Sequence, residues 1–87
     1  MPHAQLTETV RRLVQQTFEE LGVDGPDQFQ ETILVRGGNY CGRRFEGSTG
    51  HAIWFVEENQ LKFYSASGQL IRVVQPKPVA APIRFAA

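Results

Sequence analysis

Two periodicities divide the chain. Leu6, Val10, Leu13, Val14, Thr17, Phe18 and Leu21 recur at helical spacing, while Glu8, Arg11, Arg12, Gln15, Gln16, Glu19 and Glu20 fill the other faces. This pattern predicts an amphipathic helix, with Thr7 as its N-cap and Gly22 followed by Val23 as a left-handed C-terminal cap. Val23-Asp24-Gly25-Pro26-Asp27 then reads as a surface connection.

From His51 the period changes to two. The run HAIWFVEENQLKFYSASGQLIRVV reads as three strands joined by turns at Glu58-Asn59 and Ala66-Ser67-Gly68. A Glu58-Asn59 turn sets Val56 opposite Leu61 and Trp54 opposite Phe63, so Ala52, Trp54, Val56, Leu61 and Phe63 share one apolar face. A three-residue turn with Gly68 in the left-handed position brings Phe63 opposite Ile71 and Leu61 opposite Val73. A two-residue turn would place Arg72 opposite Phe63, and the three-residue reading is preferred because it extends the apolar face.

Two earlier strands, Phe29 to Arg36 and Tyr40 to Glu46, are separated by Gly37-Gly38-Asn39 and followed by Gly47-Ser48-Thr49-Gly50. With Arg36 opposite Tyr40 and Glu46 opposite His51, the residues Phe29, Ile33, Val35, Cys41 and Phe45 join the Trp54 side. The expected fold is α+β: one N-terminal helix packed on one face of an antiparallel five-stranded meander. Residues 1–74 form the single domain, and the proline-rich segment 75–87 is expected to be a flexible tail that can be removed without loss of the fold.

One helix covers one side of such a sheet. Leu34, Arg36, Tyr40, Arg44, His51, Ile53, Phe55, Lys62, Tyr64, Leu70 and Arg72 are left on the other, an apolar patch rimmed by charge. Barrel closure, or Val79, Ile83 and Phe85 folding back, would hide that patch. If it stays open it is a contact surface, and Tyr40, Arg44, Phe55, Lys62, Tyr64 and Arg72 are the candidate binding residues, with an unknown protein partner or a second copy as occupant.

Composition narrows the chemistry. Nine basic and nine acidic residues cancel in 87, so no global field draws the chain to nucleic acid or anionic lipid. Stacking of bases on the aromatics, with Arg36, Arg44, Lys62 and Arg72 at phosphates, is therefore the weaker alternative. The single cysteine excludes an internal disulfide framework and a Cys-rich zinc site. Neither a secretory leader nor a membrane-length apolar run is apparent, so a cytoplasmic location is expected.

A Cys41 nucleophile served by His51 is disfavoured because the register puts the two on opposite faces, Cys41 inward beside Val56. A small enzyme using His51 alone remains a second alternative, although the leading expectation is no enzymatic activity. Arg43, opposite Trp54 and near Ile33, needs a partner on the core side. Glu31 one diagonal away supplies it, or the Trp54 ring does. Adjacent Arg43 and Arg44 diverge and cannot share an anion over the Gly47–Gly50 loop, and Glu57-Glu58 reads as a solvated turn. No metal or cofactor is expected.

The run YCGRRFEGSTGHAIWFVEENQLKFYSASGQL resembles short uncharacterised proteins of planctomycete bacteria that share a Tyr-x-Gly-Arg pattern, a Trp-Phe strand and a Lys-Phe-Tyr strand. The resemblance implies a bacterial protein and carries over no catalytic or binding residue.

Overall fold

The computed structural model describes residues 3–76. A helix, α1 (His3–Glu20), precedes five strands: β1 (Gln30–Arg36), β2 (Asn39–Glu46), β3 (Gly50–Phe55), β4 (Gln60–Ser65) and β5 (Leu70–Val74). The strands pair antiparallel in chain order, leaving β1 and β5 as the two edges. The fold is α+β, as the two periodicities predict.

The helix begins at His3 rather than at a Thr7 cap. Thr7 stands three residues before Val10 and seven before Val14, so it falls on the inward stripe and is buried. The other end forms as expected. Gly22 adopts φ of 79°, Val23 N–H donates to the Phe18 carbonyl at 2.9 Å and Gly22 N–H donates to the Glu19 carbonyl at 3.2 Å, which is the paired closure of a Schellman cap.

Val10, Val14, Phe18 and Val23 pack against Phe45, Ala52, Trp54, Leu61 and Phe63 to form the core. Phe18 meets Phe63 and Phe29 edge to face, with centroids 5.8 and 6.0 Å apart. A five-stranded sheet is about 19 Å across from first to last strand axis, whereas a helix with its side chains is about 10–12 Å wide. The helix therefore covers the middle of the sheet only. On its own side it leaves Ile33 and Val35 of β1 exposed, at 53% and 61%.

At that uncovered margin an ionic network ties helix to sheet. Arg11 donates from Nε to Glu31 Oε1 at 2.8 Å and from Nη2 to Oε2 at 3.1 Å. Arg43 Nη1 donates to the same carboxylate and Arg43 Nε donates to the Tyr40 hydroxyl at 2.9 Å. The Arg11 hydrogen bonds, followed by those from Arg43, outweigh desolvation and hold the Glu31 carboxyl below the usual range. The expected Arg43–Glu31 pair is thus present, and the Arg43 guanidinium also stands 5.6 Å from the Tyr40 ring centroid.

Three registers differ from the sequence reading. In β3–β4 the connection is the four residues Val56 to Asn59, so Trp54 faces Leu61 and Ala52 faces Phe63. The slip is two residues and leaves every side chain on its expected face. Its cause is Asn59, which takes φ of 51°, donates its N–H to the Val56 carbonyl at 3.1 Å and accepts the Trp54 indole Nε1–H on Oδ1 at 3.1 Å. The longer turn brings this amide to the buried ring. Asn59 Nδ2 in turn donates to the Pro76 carbonyl at 2.7 Å, and Pro76 is fully buried.

The second difference lies in β2, where Leu34 pairs with Gly42 but Val35 pairs with Tyr40, making Cys41 the extra residue of a bulge. Tyr40 is thereby turned to the helix side, where it meets Arg43, and not to the opposite face. Gly42 is required at this point, since a Cβ there would stand 2.0 Å from the Trp54 carbonyl oxygen.

The third difference follows the β4–β5 turn. Gly68 has the expected positive φ, 92°, but a shift between Phe63 and Tyr64 leaves Ile71 unpaired and sets Arg72 opposite Phe63. Arg72 therefore lies on the helix side, donating from Nη1 to Glu20 Oε1 at 2.6 Å. Val73 pairs with Lys62 on the other face instead of joining the core.

Beyond Val74, Pro76 is buried and its carbonyl accepts the Asn59 side-chain amide N–H. The remainder of the expected tail lies outside the described residues.

Trp54→Ala should lower the unfolding free energy by about 3–5 kcal/mol through loss of the largest core side chain. Asn59→Gly keeps the left-handed turn but removes the amide, and should cost about 1–3 kcal/mol. Both are read by denaturant unfolding. An Asn59→Gly protein as stable as wild type would show that the indole and Pro76 contacts contribute nothing.

Candidate functional site: the sheet face opposite the helix

Alternation along the strands places three cross-strand rows on the face away from α1. The middle row is Thr32, Arg44, Ile53, Lys62 and Val73. Beside it lie Gln30, Glu46, His51, Tyr64 and Leu70 on one flank and Leu34, Gly42, Phe55 and Gln60 on the other. Among the described residues no helix or strand covers these rows. Val73 and Leu70 are about half exposed, at 47% and 50%, and Ile53, Phe55 and Tyr64 are partly exposed.

Of the six residues named from the sequence, Arg44, Phe55, Lys62 and Tyr64 are on this face. Tyr40 and Arg72 are not, for the reasons of bulge and register given above. Ile53 and Val73 add apolar surface between the aromatics, and the Val73 placement could not be read without the β5 irregularity.

The face is organised by local contacts. Lys62 Nζ sits 5.2 Å from the Phe55 ring centroid, so its charge rests on an aromatic surface. His51 stacks on Tyr64 with centroids 4.9 Å apart and planes inclined by 13°. Arg44 Nε lies 3.6 Å from Glu46 Oε1, an ion pair too long for a hydrogen bond, and this nitrogen is shielded from solvent. Burial, and then the Arg44 charge, depress the His51 pKa below its ordinary value against the opposing pull of Glu46. The shift favours the neutral imidazole.

At one end of the face, Arg36, Cys41, Phe55, Glu57, Glu58 and Lys62 line an open concavity of about 310 Å³. Cys41 belongs here and not in the core, because it is the bulged residue, and its carbonyl accepts the Val56 N–H at 3.1 Å. It is half-buried and its thiol donates to the Leu34 carbonyl at 3.4 Å. His51 is four residues along β3 from Phe55, which amounts to about 13 Å. The structure therefore does not bring Cys41 and His51 together. No group of His, Cys, Asp and Glu among the described residues is arranged to hold a metal ion.

No family model, curated protein or solved structure matches the chain.

Because the folded His51 pKa is depressed, the unfolded chain takes up a proton first as pH falls. Stability should decline as pH drops through the ordinary imidazole range and level off below the folded pKa. Ring-proton NMR titration should give His51 a pKa below that of a free imidazole, and His51→Gln should remove part of the stability difference between about pH 7.5 and about pH 5.5. A His51 pKa at or above the ordinary value would contradict the buried, stacked placement.

Proposed function

We propose that the protein is a small non-enzymatic interaction module whose contact surface is the open sheet face around Ile53, Phe55, Lys62, Tyr64 and Val73. The observation that carries this reading is the row of partly exposed apolar and aromatic side chains on a rigid sheet that no described element covers. Aromatic anchors set on strands bind with little loss of side-chain freedom, and the charges of Arg44, Glu46 and Lys62 set among them supply orientation. The bacterial, cytoplasmic setting implied by the sequence belongs to the same proposal.

The nucleic-acid alternative has less support. Arg72 is occupied by Glu20 on the other side of the sheet and Arg44 is paired with Glu46, which leaves few cations for phosphates on a chain of zero net charge. The His51 enzyme has less again, since the imidazole is stacked on Tyr64 and Cys41 is remote.

Tyr64→Glu tests the reading. A purified partner that binds the wild-type chain should lose at least about tenfold in affinity, about 1.4 kcal/mol, while the thermal midpoint of the variant stays close to wild type. Arg12→Glu, on the solvent side of α1, serves as the control and should bind normally. Equal binding by Tyr64→Glu and wild type would overturn the assignment. Binding of a labelled single-stranded oligonucleotide with steep salt dependence would replace it with the nucleic-acid alternative.

A further inference from the structure

β1 is an exposed edge of the sheet, and its backbone can be phased residue by residue. Gly37 and Gly38, with φ of 59° and 80°, form a two-residue hairpin turn closed by Arg36 and Asn39. In such a hairpin the closing pair exchanges both backbone hydrogen bonds, so Arg36 directs its N–H and C=O towards β2. Leu34 does the same, and its carbonyl also accepts the Cys41 thiol across the bulge. Alternation then sends the N–H and C=O of Glu31, Ile33 and Val35 outward, away from the sheet. The side chains of Ile33 and Val35 are the most exposed large apolar groups among the described residues.

An edge of this kind invites a strand, and natural sheets normally block it with a bulge, a proline or an unpaired charge. The opposite edge has such protection. In β5 the ladder is interrupted by the extra residue Ile71. β1 has neither a bulge nor a proline in its seven residues, QETILVR; the charge of Glu31 is already neutralised by Arg11 and Arg43, and the charge of Arg36 stands at the turn end of the strand.

We propose that β1 pairs with β1 of a second copy of this chain, antiparallel about a twofold axis through Ile33, to give a continuous ten-stranded sheet. The register is fixed by the backbone. With Ile33 opposite Ile33 of the second copy, Glu31 stands opposite its Val35, and every outward N–H and C=O of both edges finds a partner. Sliding by two residues either way leaves outward groups of one end unmatched. The same register sets Thr32 opposite Leu34 and Gln30 opposite Arg36, so no like charges confront each other. Ile33 and Val35 of both copies form an apolar cluster at the axis, both helices lie on the same side, and the two faces opposite the helices join into one surface. An isologous contact of this kind closes at two copies, whereas β1 joined to β5 would propagate into a filament. This inference is independent of the use proposed for the open face.

Sedimentation equilibrium of the full chain at rising concentration tests it. The expected result is a concentration-dependent shift from 9.8 kDa to twice that mass. Ile33→Lys places two cations at the axis and should weaken dimerisation by at least about tenfold with an unchanged circular dichroism spectrum. Tyr64→Glu should leave it intact. Amide exchange provides a second readout that no folding defect can mimic: in wild type, the Glu31, Ile33 and Val35 amides should gain protection with concentration, while those of Thr32 and Leu34 are protected throughout. A monomer at all concentrations would overturn the proposal. So would a dimer that survives Ile33→Lys, that leaves the alternate β1 amides unprotected, or that Tyr64→Glu disperses.

Discussion

A single helix against five strands is the constraint from which the other features follow. The helix is about half as wide as the sheet, so it can seal one face over the middle strands β2, β3 and β4 only. Val10, Val14 and Phe18 meet Trp54, Phe45 and Phe63 in that strip, and there the core is complete. Everywhere else the sheet must meet water, a partner, or the remainder of the chain. The exposed β1 margin follows from the mismatch in width, and the open opposite face follows from there being one helix for two faces.

Where apolar cover runs out, polar groups close the structure. On the β1 side, the Glu31 carboxylate joins Arg11 of the helix to Arg43 of β2. On the β5 side, Arg72 reaches Glu20 in the last turn of α1. The helix–sheet pairs of Arg11 and Arg72 are partly exposed and contribute modestly to stability, and they tie the helix to the sheet at the two margins that the apolar strip does not reach. At the base of the core, the Trp54 indole directs its N–H to Asn59, and Asn59 holds Pro76. A buried donor thus decides the length of the β3–β4 turn and the point where the folded chain leaves the sheet.

The architecture was legible because two signals were strong. The stripe from Leu6 to Leu21 and the alternation around Trp54 identify the helix, the strands and the core face, and a two-residue register slip preserves that face. What escaped were irregularities that change parity. The β2 bulge turns Tyr40 to the helix side and Cys41 away from the core, and the Ile71 irregularity turns Arg72 inward and Val73 outward. Neither leaves a mark in hydrophobic alternation, since each is tied to a polar contact that alternation does not encode: Arg43 for Tyr40, Glu20 for Arg72. Asn59 was more accessible, because asparagine tolerates the left-handed conformation that a turn before a strand requires. Its link to the Trp54 indole required the three-dimensional register.

The account rests on the sheet having one sealed face and one open face. Solvent paramagnetic relaxation by a soluble nitroxide, read on the side-chain protons of the full chain, measures that asymmetry directly. Strong relaxation at Ile53, Phe55, Tyr64 and Val73, with protection of Trp54, Phe45, Leu61 and Phe63, is the predicted result. Equal protection of both sets in the isolated protein would mean that the second face is sealed as well, and would contradict the account.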